Sequence, residues 1–426
     1  MRSVAFPATV LRPEPVPTGR RLQATVARQA ATVNPLVRMA LVVFVLSIPF
    51  EMPNRAIPIE IPTLTGVAFL ASTLINPSVS FRRIPAAMVC FGMYLWAFIL
   101  SAWVNHIDNQ ALAIRLFFNM LLLLLVFWAV FNLMAHYRVV RGLLLALTLA
   151  CIVRAAMQVL GIAATSHAQW GGGVRVSVLG QNTNLSAMIL SAGLVSIVGL
   201  QAAGERGLPR FGLLTWPLAA LLIIAIVQSG SRGGIACAAA GLATFTFRGR
   251  TLWIKLRNGL FAAFAMGLLL WSVLQSDVMR SRFELAAEGR LAGREQIYPA
   301  LIDMLAERPL LGWGPIDNQA EIAQRVENGR RPLRDAHNML LEVLTTTGLA
   351  GAIPFMIGFV LCARGAWRAR RGPLGVLPLA LLVVATVGTI SSTWIAAKVV
   401  WLAFAVALAA GAHWAAPAPL ERARTR

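Results

Sequence analysis

The sequence predicts an all-α polytopic membrane protein of about twelve transmembrane helices, with one large loop between the ninth and the tenth. Three observations predict it. The chain is 58% hydrophobic and only 13% charged, where soluble domains run near about 25% charged, and its mean hydropathy is +0.70. Apolar runs recur along its length, most near the roughly 20 residues that a spanning helix needs. The cations gather in short connections between those runs, at every second one. A formal net charge of +21 could point to nucleic acid. Nucleic acid needs a basic face or stripe, however, and alternating cationic connections are the mark of a membrane topology instead.

Residues 1–35 are polar, contain Arg and Pro, and lack the apolar core of a cleaved signal peptide, so they predict a disordered basic cytoplasmic tail. Apolar runs at 36–50, 57–75, 84–104, 112–134, 139–163, 183–203, 211–228, 233–247 and 256–275 make transmembrane helices one to nine, within 36–275. Those at 338–363, 374–390 and 394–414 make helices ten to twelve, within 338–414, and residues 415–426 close the chain as a second cytoplasmic tail. Orientation follows from Arg82 and Arg83, Arg138 and Arg141, Arg206 and Arg210, the cluster from Arg248 to Arg257, and the cluster from Arg364 to Arg371. These mark the cytoplasmic side, with both termini. The connections around Glu51–Glu60, Asn105–Gln110, Ala164–Gln181 and Ser391–Thr393 are poor in cations and face the other way. Cys90, Cys151, Cys237 and Cys362 sit in apolar runs without CxxC spacing and read as small core residues, with no disulfide framework or metal site indicated.

Segment 276–337 is the one connection too long to be a mere link, and the alternation puts it on the periplasmic side. Its stretch REQIYPALIDMLAERP spaces Ile297, Leu301, Met304 and Leu305 along one helical face, predicting an amphipathic helix on the membrane surface or over a cavity. PLLGWGPIDN, packing Pro and Gly about an aromatic, predicts an ordered turn.

The candidate functional residues cluster on that same side. Arg334–Gly351 (RDAHNMLLEVLTTTGLAG) closes the polar segment and opens an apolar helix, placing Asp335, His337 and Asn338 where an aqueous loop meets the membrane. An imidazole there can exchange protons with water while facing a lipid-borne substrate. Alternatively His337 and Asn338 only cap a helix. Arg232, in QSGSRGG, follows a Gly-rich turn whose amides could approach an anion. Arg175 follows three glycines in WGGGVRVSVLGQNTNLSA, whose Gln181, Asn182, Thr183 and Asn184 could cap the next helix. Arg290 and Arg294, in GRLAGRE, open the amphipathic helix, where charge and dipole both favour an anion. Arg115, Arg154 and Lys398 fall inside apolar runs. Snorkelling to the headgroups accounts for Arg115 and Lys398 as well as a buried role does, while the deeper Arg154 reads as functional. So many arginines on one face imply a multiply charged phosphate substrate at the outer leaflet, best met by a lipid pyrophosphate.

An SRGG turn, then GREQIYPALIDMLAERPLLGWGP, then HNMLLEVLTTTG, in that order over roughly residues 170–360, resembles the bacterial O-antigen ligase family. The resemblance implies a twelve-helix glycosyltransferase of GT-C-type architecture with a large periplasmic loop containing short helices, in the bacterial inner membrane. Its donor would be glycan on undecaprenyl pyrophosphate and its acceptor the lipid A-core oligosaccharide, with membrane lipids as the remaining partner and no cofactor. The family histidine falls on His337. Its two essential arginines fall on Arg232 and on Arg294, with Arg290 as the alternative for the second; Arg175 matches a looser region, and Arg154 is added from the residues alone.

The chain has no DxD motif, so neutralisation of the leaving pyrophosphate is expected from arginines, whose planar forks match phosphate and stay charged, with metal: none. His337 is the expected general base, and Asp335 or Glu342 could orient it. Attack opposite the pyrophosphate would invert the anomeric centre. Two alternatives remain: a polymerase extending lipid-linked repeats, and a transporter of the same lipid-linked sugar. The transporter should show internal pseudo-repeats and broken helices, and the sequence shows neither.

Overall fold

A computed structural model describes residues 33–52, 60–168, 174–202, 211–247, 252–288, 293–327, 332–393 and 395–415. Within them a helix occupies each of the twelve predicted apolar runs. The first half holds α1 (Pro35–Ser47), α2 (Ile61–Thr73), the short α3 (Pro77–Ser80), α4 (Ala86–Val104), α5 (Gln110–Leu133) and α6 (Tyr137–Val159). A hairpin of β1 (Ala164–Ala168) and β2 (Val174–Val178) follows. Then come α7 (Thr183–Ala202), α8 (Thr215–Gln228), α9 (Arg232–Ala243), α10 (Leu252–Leu274), α11 (Asp277–Ala287), α12 (Arg294–Glu307) and α13 (Asp317–Glu327). The chain ends with α14 (Met339–Ala369), α15 (Leu377–Ile390) and α16 (Lys398–His413).

Five helices, α4, α5, α6, α7 and α14, are long and apolar enough to cross a membrane by themselves; a sixth span would be α10 joined to α11 across an 86° bend. The other apolar helices are 10–17 residues long. The chain is therefore an integral membrane protein by helix content.

The bundle is built around α7 and α14. α7 packs against α6, α8, α9 and α15, while α14 packs against α4, α15 and α16. Phe91 on α4 is the aromatic hub, with ring centroids 5.6 Å from Phe127 on α5, 5.4 Å from Phe355 on α14 and 5.1 Å from Trp401 on α16. Offset and edge contacts of this kind add to the burial of the rings themselves. α9, RGGIACAAAGLA, is made of small residues for the reason small residues line membrane helix contacts. A Cβ on Gly234 would occupy the position of the Ala187 side chain on α7. The cysteines Cys151, Cys237 and Cys362 are buried core residues and Cys90 is half-buried; all four are free.

Three expectations change. The cation-poor segment 164–181 is not a plain loop: its VRVSV run pairs antiparallel with ATSHA, Arg175 opposite His167. Arg175 and Ser177 alternate inward on β2. The amphipathic helix α12 does bury Ile297, Leu301 and Met304, but against protein: they form a small core with Ile322 of α13 and Ala336, bordered by Trp313 and Leu341. The α12–α13 segment is thus a folded module set on the start of α14. Lys398 does not snorkel. Its ammonium is 2.7 Å from Glu51 Oε1 and 3.4 Å from Glu60 Oε2, with Lys398 1% exposed. Burial of a bare ammonium is costly unless carboxylates accompany it. Arg115 is exposed, as snorkelling requires.

Candidate active site

His337 is held by the residues on either side of it. Ala336 is fully buried in the α12–α13 core, and Asn338 is the N-cap of α14, its Oδ1 accepting from the amides of Leu340 (3.0 Å) and Leu341 (3.2 Å). Between these anchors His337 takes a left-handed backbone, φ 53°, a conformation uncommon outside glycine and concentrated at functional sites. The imidazole is half-buried. Among the described residues it makes no hydrogen bond. Burial, then the charges of Arg294 and Arg334, lower its pKa to about 4. It is therefore neutral at physiological pH.

Arg294 is the first residue of α12, after Gly293 at φ 87°. Its Nη2 donates to Ser391 O at 2.8 Å, and Tyr298 Oη, one turn on, donates to Ile390 O at 3.4 Å. The end of α15 thus fixes the start of α12. A Cβ on Gly293 would lie 3.1 Å from Arg334 Nη2, so the start of α12 runs close against the Arg334 side chain. The Arg334 amide donates to Gln319 O at 3.0 Å, tying the approach to His337 onto α13.

Arg232 opens α9 behind the N-cap Ser231, whose Oγ accepts from Gly234 N at 3.0 Å. Ser391 also borders this turn: its Oγ is 2.5 Å from where a Cβ on Gly233 would stand. The charge of Arg294 reaches Arg232 as well as His337. Three segments far apart in sequence, around 232, 294 and 334–338, therefore meet at one place beside Ser391.

The PLLGWGP and TTTG motifs turn out to be two halves of one joint. Against the expectation of unbroken helices, α14 breaks at Gly348 (φ 59°, ψ −160°), a left-handed position that glycine alone takes readily. In an unbroken helix Leu349 N and Ala350 N would donate to Thr345 O and Thr346 O. Here those two amides donate instead to Pro309 O (2.8 Å) and Leu310 O (3.0 Å), while the two carbonyls accept from Trp313 N (2.7 Å) and Gly314 N (3.1 Å). The strap 309–314 lies in the break and satisfies all four groups, as buried backbone polar groups must be. Ser101 Oγ on α4 adds bonds to Leu311 O (2.6 Å) and Thr346 O (2.8 Å). Gly312 (φ 66°) passes so close that a Cβ would lie 2.5 Å from Thr345 O. Trp313 is clasped by the guanidiniums of Arg308 (4.0 Å) and Arg325 (5.1 Å). Asp317 anchors the module to the α4–α5 connection, accepting from Asp108 N at 2.8 Å and Asn109 Nδ2 at 2.9 Å.

The remaining candidates are placed as follows. Asp335 is exposed. Glu342 is buried, and its Oε1 accepts from Gln319 Nε2 at 2.9 Å. Arg175 is buried and bonded to Ser229 O and Asn184 Oδ1, each at 2.8 Å. Arg154 is 1% exposed inside the bundle, donating to Pro49 O and, at 2.9 Å, to Ser186 Oγ. Gln181 donates to the Glu51 carbonyl, and Asn182 Oδ1 accepts from Asn184 N at 2.9 Å in cap fashion. Arg290 lies outside the described residues. Among the described residues no group of three or more His, Cys, Asp or Glu side chains comes together as a metal ion would need. Two members of the site escape the sequence reading. Arg334 opens the very motif that points to His337, a signal that was there to use. Ser391 acts through its backbone carbonyl, which has no residue signature.

Residues 217–356 match the model of a family described as O-antigen ligase. No curated protein matches the chain. The family takes in glycosyltransferase-like ligases and polymerases that use lipid-linked glycan and lipid acceptors. The matched stretch runs from α8 into α14 past the break at Gly348 and takes in Arg232, Arg294, Arg334 and His337, so over those residues the chain is similar to the O-antigen ligase family.

Proposed function

We propose that this protein is an O-antigen ligase of the bacterial inner membrane, transferring glycan from undecaprenyl pyrophosphate to a sugar hydroxyl of the lipid A-core. The observation that carries the reading is the meeting of Arg232, Arg294 and Arg334 with a neutral, half-buried His337. In this reading the chain crosses the membrane twelve times with both termini cytoplasmic. Segment 276–337 and the site then face the periplasm.

Glycosyl transfer breaks the bond from the anomeric carbon to the pyrophosphate oxygen and forms one to the acceptor oxygen. Negative charge grows on the departing oxygen. Arg232 and Arg294 bind and neutralise it, with Arg334 beside them. Guanidinium forks can do this without a metal ion. His337 takes the acceptor proton as the new bond forms, on the face away from the pyrophosphate, so the anomeric centre inverts. Positioned general-base catalysis of this kind is worth about 10²–10⁴-fold. A pyrophosphate on Arg294 also offsets positive charge that holds the imidazole pKa down, so donor binding makes His337 a better base. Asn338 serves by capping α14 and fixing the backbone of His337.

The test is transfer by purified protein from undecaprenyl-pyrophosphate glycan to rough lipopolysaccharide, with His337→Ala and Arg294→Ala as controls. Glycan on the lipid A-core with wild type alone supports the reading. Longer lipid-linked chains without transfer to core would make the protein a polymerase, and movement of intact lipid-linked sugar without bond exchange would make it a transporter.

A further inference from the structure

The β1–β2 hairpin brings one guanidinium beneath the turn that presents Arg232. Arg175 Nε donates to Ser229 O and its Nη2 to Asn184 Oδ1, both at 2.8 Å. That same Asn184 oxygen accepts from Ser231 Oγ at 2.9 Å. Ser231 Oγ in turn caps α9 through Gly234 N at 3.0 Å, and Ser231 N donates to Ser229 Oγ at 3.3 Å. Ser229 and Ser231 are fully buried, and Arg175 is 4% exposed. Gly230 sits between them at φ 60°, and a Cβ there would lie 2.9 Å from Arg175 Cγ. The turn Ser229–Gly230–Ser231 is thus folded over the Arg175 side chain, and the contacts lead through Ser229 and Asn184 to Ser231, the residue before Arg232.

We propose that Arg175 is a positioning residue: it sets the direction of Arg232 by holding the Ser229–Ser231 turn against Asn184, and it does not itself bind the pyrophosphate. This rests on the assignment of Arg232 to the donor pyrophosphate made above. Arginine suits the place because its planar fork spans a main-chain carbonyl and a side-chain amide oxygen at once, which a lysine ammonium cannot do in the same geometry.

The experiment is a double-mutant cycle on the full-length protein, read as the dissociation constant for undecaprenyl pyrophosphate. Arg175→Lys and Asn184→Ala are each measured in the wild-type and the Arg232→Ala backgrounds, with thermal stability followed in parallel. Asn184→Ala touches no proposed phosphate ligand and removes the anchor from the opposite side, so the test does not depend on the Arg175 variant folding. The expected result is that either substitution weakens binding by about tenfold to a hundredfold, the effect of losing a charged hydrogen bond, and that the loss disappears when Arg232 is already alanine. Losses that add to that of Arg232→Ala would overturn the proposal and make Arg175 a phosphate ligand in its own right. So would full affinity in Asn184→Ala. If Arg232→Ala alone binds the donor as wild type does, the parent assignment fails instead, and the cycle tells the two failures apart.

Discussion

Two groups of cations, one buried and one half-buried, can be set side by side. At the start of α16, Lys398 is enclosed by two carboxylates, Glu51 at 2.7 Å and Glu60 at 3.4 Å. At the start of α12, Arg294 bonds to a neutral oxygen, the Ser391 carbonyl, and its charge is felt by Arg232 and His337. The first arrangement spends its charge on holding α16 to the α1–α2 connection. The second leaves positive charge beside an imidazole. A cation inside an apolar bundle is therefore no sign of a binding site by itself; the charge state of its partners decides.

The comparison breaks most sharply under substitution. Arg294→Ala is expected to reduce transfer by about 10²–10³-fold, the usual effect of removing one donor to a developing anion, with little loss of fold; glycan transfer per folded molecule measures it. Lys398→Met should do the reverse. It leaves Glu51 buried without its ammonium and lowers stability by about 3–5 kcal/mol, while transfer per folded molecule stays within about twofold of wild type; unfolding in detergent checks the first and the transfer assay the second. If Lys398→Met proved fully stable but inactive, the distinction between the two regions would fall.

A pH profile sharpens the same contrast. His337 is neutral above a pKa of about 4 and loses its capacity as a base as pH falls through that value. The acid limb of kcat/KM, which reports the free enzyme, should accordingly lie near pH 4 and well below the ordinary histidine range. Arg334→Gln removes one of the charges that hold the value down, so the limb should move upward. A limb near 6.5 in wild type would contradict the electrostatic picture. Smaller still, Ser101→Ala loses the hydroxyl shared between Leu311 O and Thr346 O and is expected to cost about 1 kcal/mol, seen as a small drop in melting temperature. Arg115→Ala, at an exposed position, should change stability by no more than about 0.5 kcal/mol.

What the sequence reveals follows the range of the forces involved. Each apolar run is a helix because hydropathy is local, and α12 begins at Arg294 and buries Ile297, Leu301 and Met304 because a 3.6-residue period is local too. The partner of Lys398 is not local: Glu51 stands 347 positions away, and nothing in either neighbourhood announces the other. The joint between Pro309–Gly314 and Gly348 is made of main-chain bonds, so the glycines are visible and their purpose is not. The hairpin escapes because a five-residue β2 beside a Gly-rich stretch looks like loop when membrane helices fill the window. Arg232, Arg294 and His337 are singled out by motif; Arg294 and the turn of Arg232 border Ser391, whose carbonyl and hydroxyl no sequence pattern marks, and the charge of Arg294 reaches His337.

The central claim is that arginines and His337 perform a metal-free glycosyl transfer, and one reconstitution tests it most directly. Wild-type protein and His337→Ala are compared with undecaprenyl-pyrophosphate glycan and rough lipopolysaccharide in EDTA. The account predicts glycan on the lipid A-core with wild type and a loss of about 10²–10⁴-fold with His337→Ala. Full transfer by His337→Ala, or wild-type transfer that stops in EDTA and returns with a divalent cation, would contradict it.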